Sequence, residues 1–193
     1  MVQFDVQLAR FNFIESKNLM LRPFVSADSA DLFGFSQNET ALRFFYPPFQ
    51  SQEACEYFMV ENFMKAPLGT WAIELKEHQR LVGFIHFSKV YHQAKKAELG
   101  YLIDPAYQRR GLMGEALSVL IDFSFQEFGI DLLELVIDEE NLASQALAEK
   151  FHFVREKQMK RKQAWTGQIR NFNQYQLKKA GYFARLNQGE THV

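Results

Sequence analysis

The chain has 193 residues, 47% of them hydrophobic, a length that fits one domain, residues 1–193, with a full-sized core. Twenty-two Lys and Arg against 23 Asp and Glu leave a net charge of −1, which gives no electrostatic footprint of a nucleic-acid binder. A single cysteine, Cys55, excludes an internal disulfide, and no apolar run has signal-peptide or membrane-spanning character, so a soluble cytoplasmic protein is expected.

In chain order, residues 18–24 (NLMLRPF) read as a short strand stopped by Pro23. Residues 26–35 carry apolar positions at helical spacing, with Ser26 or Asp28 as cap. After Pro47-Pro48, residues 51–64 predict a second helix capped by Ser51, with Glu53 close behind. Residues 70–75 and 81–90 are strand-like runs joined by the polar turn KEHQR, a hairpin pattern. Residues 97–103 (AELGYLI) form another strand, ended by Pro105. Residues 111–128 are helical and apolar around most of their girth, with Gly129 at the C-cap. A short strand over 132–137, a helix from Asn141 to about Lys150, and an antiparallel pair over 154–165 and 170–178 complete the chain. The order predicts an α/β or α+β domain with a mixed sheet.

Residues 97–116, AELGYLIDPAYQRRGLMGEA, concentrate the chemistry. A strand passes through Asp104-Pro105 and a short loop into the start of a long helix. A helix N-terminus offers unpaired amides and partial positive charge, and Gly111 lets a ligand approach the backbone. Arg109 and Arg110 fit an anion at this site, such as a phosphate; the other reading is two solvated arginines on a turn.

Gln108-Arg109-Arg110-Gly111-Leu112-Met113 resembles the pyrophosphate loop of the GNAT N-acetyltransferases, whose pattern is Q/R-x-x-G-x-G/A. Met113 departs from it, and Gly114 follows one residue late. The run GLMGEA and the segment Asn141-Leu142-Ala143-Ser144 followed by AEKFHF resemble the RimJ/RimL branch, the ribosomal-protein N-terminal acetyltransferases, and the opening LMLRPFVSADSAD is similar to the family's L-R-P…D-A. His152 replaces the usual Gly of that branch. The resemblance covers residues 16–178. It implies a GNAT-like acyl-CoA N-acyltransferase fold, a mixed and mostly antiparallel splayed sheet flanked by helices, with acetyl-CoA as cofactor. It implies further that main-chain groups of Leu102, Ile103 and Asp104 line the pantetheine arm and that amides from Arg109 to Gly114 hold the pyrophosphate. Asn141 would reach the pantetheine amides; Asn is also a favoured N-cap, and the two roles are compatible.

Acetyl transfer needs a neutral amine and a proton for the departing thiolate. Glu98 shares one strand face with Gly100 and Leu102 and is the candidate base, directly or through water; the alternative is a salt bridge to Lys95 or Lys96. The tyrosine that many GNAT enzymes place seven residues after the helix-opening Asn is Ala148 here. The branch resemblance points instead to Ser144 as acid, against an ordinary first-turn serine.

The aromatic stretch containing Phe44, Phe45 and Tyr46 has a counterpart in the family's acceptor cleft; hydrophobic packing under a loop is its other reading. The five histidines show no metal-ligand spacing, and Cys55 reads as core. The expected function is acetyl transfer from acetyl-CoA to a primary amine, on a protein or peptide N-terminus or a small molecule, by a monomer or homodimer. A non-catalytic acyl-CoA-binding module is the alternative.

Overall fold

The computed structural model describes residues 2–38, 43–163 and 166–187. They fall into two compact units. One comprises the chain up to His86 together with Tyr101–Leu120, the other Phe87–Gly100 and the chain from Ile121 onward.

The first unit opens with a helix absent from the sequence expectations, α1 (Val2–Arg10). Leu8 is buried, which holds it down. Strands β1 (Ile14–Glu15) and β2 (Leu19–Arg22) pair antiparallel. Helix α2 (Asp28–Ser36) starts after Ala27 with no side-chain cap, so neither Ser26 nor Asp28 serves as one. The Asp28 carboxylate instead accepts from Arg22 at 2.8 and 2.7 Å and from the Val25 amide at 2.9 Å, a buried ionic staple. Helix α3 (Gln52–Met59) is capped by Ser51, whose hydroxyl accepts from the Ala54 amide, and runs on as a π-helical turn, Val60–Met64. Strand β3 (Thr70–Leu75) pairs antiparallel with β4 (Arg80–Tyr91) in the expected hairpin.

The core of this unit is aromatic. Phe24 stacks on Phe63 at 4.7 Å, Phe63 meets Phe84 at 5.0 Å, and Leu32, Cys55 and Met59 close around them. Burial pushes the Cys55 thiol up to about 12, consistent with a packing role.

The second unit carries most of the remaining elements. Strand β5 (Lys96–Ile103) starts here and pairs parallel with β6 (Leu132–Asp138). Helix α5 (Leu142–Lys150) follows, and β7 (Val154–Lys162) and β8 (Ile169–Lys178) form an antiparallel pair, with β8 also antiparallel to β6. A final helix, α6 (Lys179–Leu186), is a second helix missed in the sequence; Tyr182 anchors it through its hydroxyl to Asp122 at 2.6 Å. Helix α4 (Leu112–Gln126) ends near Gly129, whose φ of 69° is the left-handed conformation expected there. The strand order is β1-β2-β3-β4-β5-β6-β8-β7, a single, mostly antiparallel sheet with flanking helices. Among the described residues no helix is long and apolar enough to cross a membrane.

Candidate active site

The β5–β6 register runs from Lys96↔Leu132 to Leu99↔Leu135, and β5 then continues to Ile103 beyond that paired run. A Cβ on Gly83 of β4 would collide with the Leu102 carbonyl oxygen, so only glycine permits this approach. Asp104 ends the strand. Its amide donates to the Val82 carbonyl at 2.8 Å, its carbonyl accepts from Tyr107 and its carboxylate accepts from the Ala106 amide. These bonds bend the chain into the 3₁₀ turn Pro105–Tyr107, with Pro105 preset for it.

The loop that follows alternates its backbone sense. Gln108 has φ −65°, Arg109 +60° and Gly111 +80°, and Arg110 is not among the residues of positive φ. Such alternation turns successive amides to one side and forms a concavity suited to an anion. Holding Arg109 left-handed costs about 1 kcal/mol, a strain typical of functional loops. Nothing lies within 4 Å of where a Gly111 side chain would begin, so open space faces the backbone there. The first in-helix bond of α4 runs from the Glu115 amide to the Gly111 carbonyl at 2.9 Å, so the amides of Leu112, Met113 and Gly114 precede the helical ladder. Gln108 through Gly111 are exposed, whereas the Leu112 and Met113 side chains are buried. Met113 therefore turns its bulk inward and leaves its main chain at the helix mouth. The Arg110 guanidinium lies over the Tyr107 ring at 5.0 Å.

Glu115 was not singled out by the sequence. Its carboxylate accepts from the Ser16 hydroxyl at 2.6 Å, the Asn18 amide at 2.6 Å and the Asn18 side chain at 2.7 Å. Partial burial pushes this carboxyl up, but these hydrogen bonds prevail and hold it below its ordinary value.

In the second unit, Glu98 accepts from the Ser88 hydroxyl at 3.2 Å and lies between two cations, Lys89 at 3.7 Å and Arg161 at 3.9 Å. Only 12% of its side chain is exposed. The sequence offered Lys95 or Lys96 as ion-pair partners. Lys95 instead pairs with Asp131 and Lys96 with Glu134. Glu134, opposite Glu98 in the register, is buried and takes bonds from Lys96, Gln174 and Gln176 at 2.8, 2.8 and 2.7 Å.

The Asn141 side-chain oxygen caps α5 by accepting from the Ser144 amide at 3.1 Å. That leaves its Nδ2 as a donor. The Ser144 hydroxyl is half-buried with no partner among the described residues. Ala148, in the position where a tyrosine was sought, is fully buried.

Of the aromatic stretch, Tyr46 packs edge-on to Phe58 at 4.4 Å and Phe45 edge-on to Phe84 at 6.1 Å, so both join the core cluster; Phe44 lies under Arg43. His86, one of the five histidines without metal-ligand spacing, stands edge-on to Phe84 and Phe63 at 5.7 and 6.1 Å. Burial lowers it to about 4 and keeps its imidazole neutral.

The two units divide the candidate residues. Leu102, Ile103, Asp104 and the loop from Gln108 to Gly114 belong to the first, and Glu98, Asn141 and Ser144 to the second.

Residues 18–154 match the family model described as an acetyltransferase (GNAT) domain. An uncharacterized N-acetyltransferase of Bacillus subtilis, YoaA, is 27% identical over 152 residues, spanning 76% of this chain and 85% of its own. A provisionally named ribosomal-protein-serine acetyltransferase from Vibrio cholerae superposes with a TM-score of 0.76 at 30% identity, over 86% of this chain and 97% of that one. RimL, a ribosomal L7/L12 alpha-N-protein acetyltransferase solved with coenzyme A, superposes with a TM-score of 0.74 at 23% identity over 86% and 97%.

Proposed function

The chain belongs to the GNAT acetyltransferase family, and from that premise we propose that it acetylates a primary amine with Glu98 as base and Ser144 as acid. It is an acetyltransferase, and acetyl-CoA is the donor its family uses. The alternating loop from Gln108 to Gly111 at the mouth of α4 carries the assignment, because its amides and open backbone suit a diphosphate.

The residues fit the cofactor. Amides from Arg109 to Gly114 would hold the diphosphate, with Arg109 and Arg110 adding charge. Leu102 and Ile103, past the β6-paired run, retain main-chain groups for the pantetheine amides. Asp104 is committed to its turn and contributes shape rather than an amide. Asn141 Nδ2 supplies a further donor. When bound, acetyl-CoA supplies an acetyl thioester open to direct attack by the amine nitrogen, with no acyl-enzyme.

Proton handling falls to the chain's own groups. Glu98, its carboxylate lying between Lys89 and Arg161, can take a proton from the acceptor ammonium, directly or through one water. The Ser144 hydroxyl, not engaged by other described groups, can donate toward the departing sulfur. The acceptor is a primary amine at a protein N-terminus or on a small molecule. The Asn141-to-Ser144 helix opening and the 30% identity to the Vibrio cholerae protein support placement in the RimJ/RimL branch.

The test pairs calorimetry with acetyl-CoA and a thiol-release assay over an amine panel. Glu98→Gln is expected to lower kcat about 100-fold and Ser144→Ala about tenfold, with acetyl-CoA affinity unchanged in both. Full activity in both variants would reject these assignments. Binding without turnover on any amine would return the chain to a non-catalytic acyl-CoA-binding module.

A further inference from the structure

Strand β7 has the sequence VREKQMKRK, five cations and one carboxylate in nine residues, in a protein whose overall charge is −1. It lies at the end of the strand order and pairs on one side only, with β8. Arg155, Lys157, Lys160 and Lys162 are exposed, and none forms an ion pair among the described residues. Elsewhere in this unit Lys95 pairs with Asp131, Lys96 with Glu134, and Arg170 with Asp138 and Glu140. The fifth cation of β7, Arg161, reaches Glu98 at 3.9 Å. The register places Lys157, Met159 and Arg161 opposite Gln174, Phe172 and Arg170, hence on one face of the strand. A row on that face thus begins beside the proposed base with Arg161, passes Met159 and ends at a second positive charge, Lys157, about 13 Å along the strand.

We propose that the acceptor is a peptide or protein N-terminus followed by acidic residues, with its amine at Glu98 and its carboxylates along Arg161 and Lys157. The proposal rests on the reading of Glu98 as the base. Glu98 already faces two cations, Lys89 and Arg161, so a polyamine would bring further positive charge to a site with one carboxylate and repulsion on both sides. A segment with carboxylates beyond its amine meets the opposite field. The row outlasts what a single amino acid could cover, which favours an extended chain. Lysines also guard edge strands against unwanted pairing, a role that requires no preference among acceptors.

The experiment compares kcat/KM by thiol release for an octapeptide with acidic residues at positions two to five, its amide isostere, a lysine-substituted version, a free acidic amino acid and spermidine. The acidic peptide is expected to exceed its amide isostere roughly tenfold at low salt, with the gap closing at about 0.5 M salt. Lys157→Glu should abolish that preference, bringing the acidic peptide's kcat/KM down to or below that of its amide isostere, and Lys157→Arg should restore it. Equal rates for the acidic and amide peptides, or preference for spermidine, the lysine peptide or the free amino acid, would overturn the proposal while leaving acetyl transfer intact. Retention of homopolymer RNA with no peptide preference would overturn it in favour of nucleic acid. Silence on every acceptor, with acetyl-CoA still bound, would overturn both readings together.

Discussion

Glu115 and Asn18, 97 residues apart, are joined by two hydrogen bonds, from the Asn18 amide at 2.6 Å and its side chain at 2.7 Å. Glu115 lies in the first turn of α4, directly after the loop proposed to hold the diphosphate, and Asn18 precedes β2. The contact ties the first turn of α4 to the segment that leads into β2.

Glu115→Gln is therefore expected to weaken acetyl-CoA binding several-fold and to cost about 1 kcal/mol of stability, the lower range for charged hydrogen bonds because the site is partly solvated. The folded carboxyl lies below its unfolded value, so its contribution is complete above the unfolded pKa and fades as pH falls through the folded one. Urea unfolding at pH 7 and pH 3 should show a wild-type advantage at pH 7 that shrinks at pH 3.

Gly111→Ala isolates backbone strain. A side chain there has room, but φ +80° penalises it by about 1 kcal/mol. If the loop relaxes by rotating its amides, acetyl-CoA affinity should fall about fivefold. The melting temperature should shift by only about 2–4 °C. Calorimetry and thermal scans together separate this from unfolding.

Gly83→Ala should behave in the opposite way. Its Cβ would be driven into the Leu102 carbonyl, forcing β4 and β5 to shift at about 2–3 kcal/mol. A drop of about 5–10 °C in melting temperature is expected. Gly34→Ala is the control: it sits exposed in α2 with nothing within 4 Å, and should be neutral or slightly stabilising.

His86 makes the fold sensitive to mild acid. Its folded value is about 4, below the ordinary 6.5 of an unfolded histidine, so between those values the unfolded chain binds the extra proton. Stability should decline from pH 6.5 to 4 by up to about 3 kcal/mol from this residue. His86→Phe should flatten that part of the curve, read by denaturant midpoints at half-unit pH steps.

Much of the architecture was legible in local signals. The KEHQR turn marked the β3–β4 hairpin, Gly129 marked the end of the long helix, and Asn141 capped α5 as its residue type suggested. Other features carried no local mark. Helices α1 and α6 rest on the buried Leu8 and Tyr182, the latter bonded to Asp122, 60 positions away. The cap expected of Ser26 or Asp28 gave way to the ion pair of Asp28 with Arg22, since a buried carboxylate is better served by a guanidinium than by solvent.

The bend of the loop from Gln108 to Gly111 was readable because its cause is short-range: a proline, a glycine needing positive φ and a helix N-terminus follow one another within ten residues, and steric limits on each backbone pair suffice to shape them. The surroundings of Glu98 were not. Lys89 and Arg161 lie 9 and 63 positions away in sequence and reach it only once strand register has chosen faces, while adjacent Lys95 and Lys96 are turned to Asp131 and Glu134. Backbone sterics act between neighbours and are written in the residue order. Which charges meet depends on how strands align across the sheet, and that alignment is settled by burial of the whole chain.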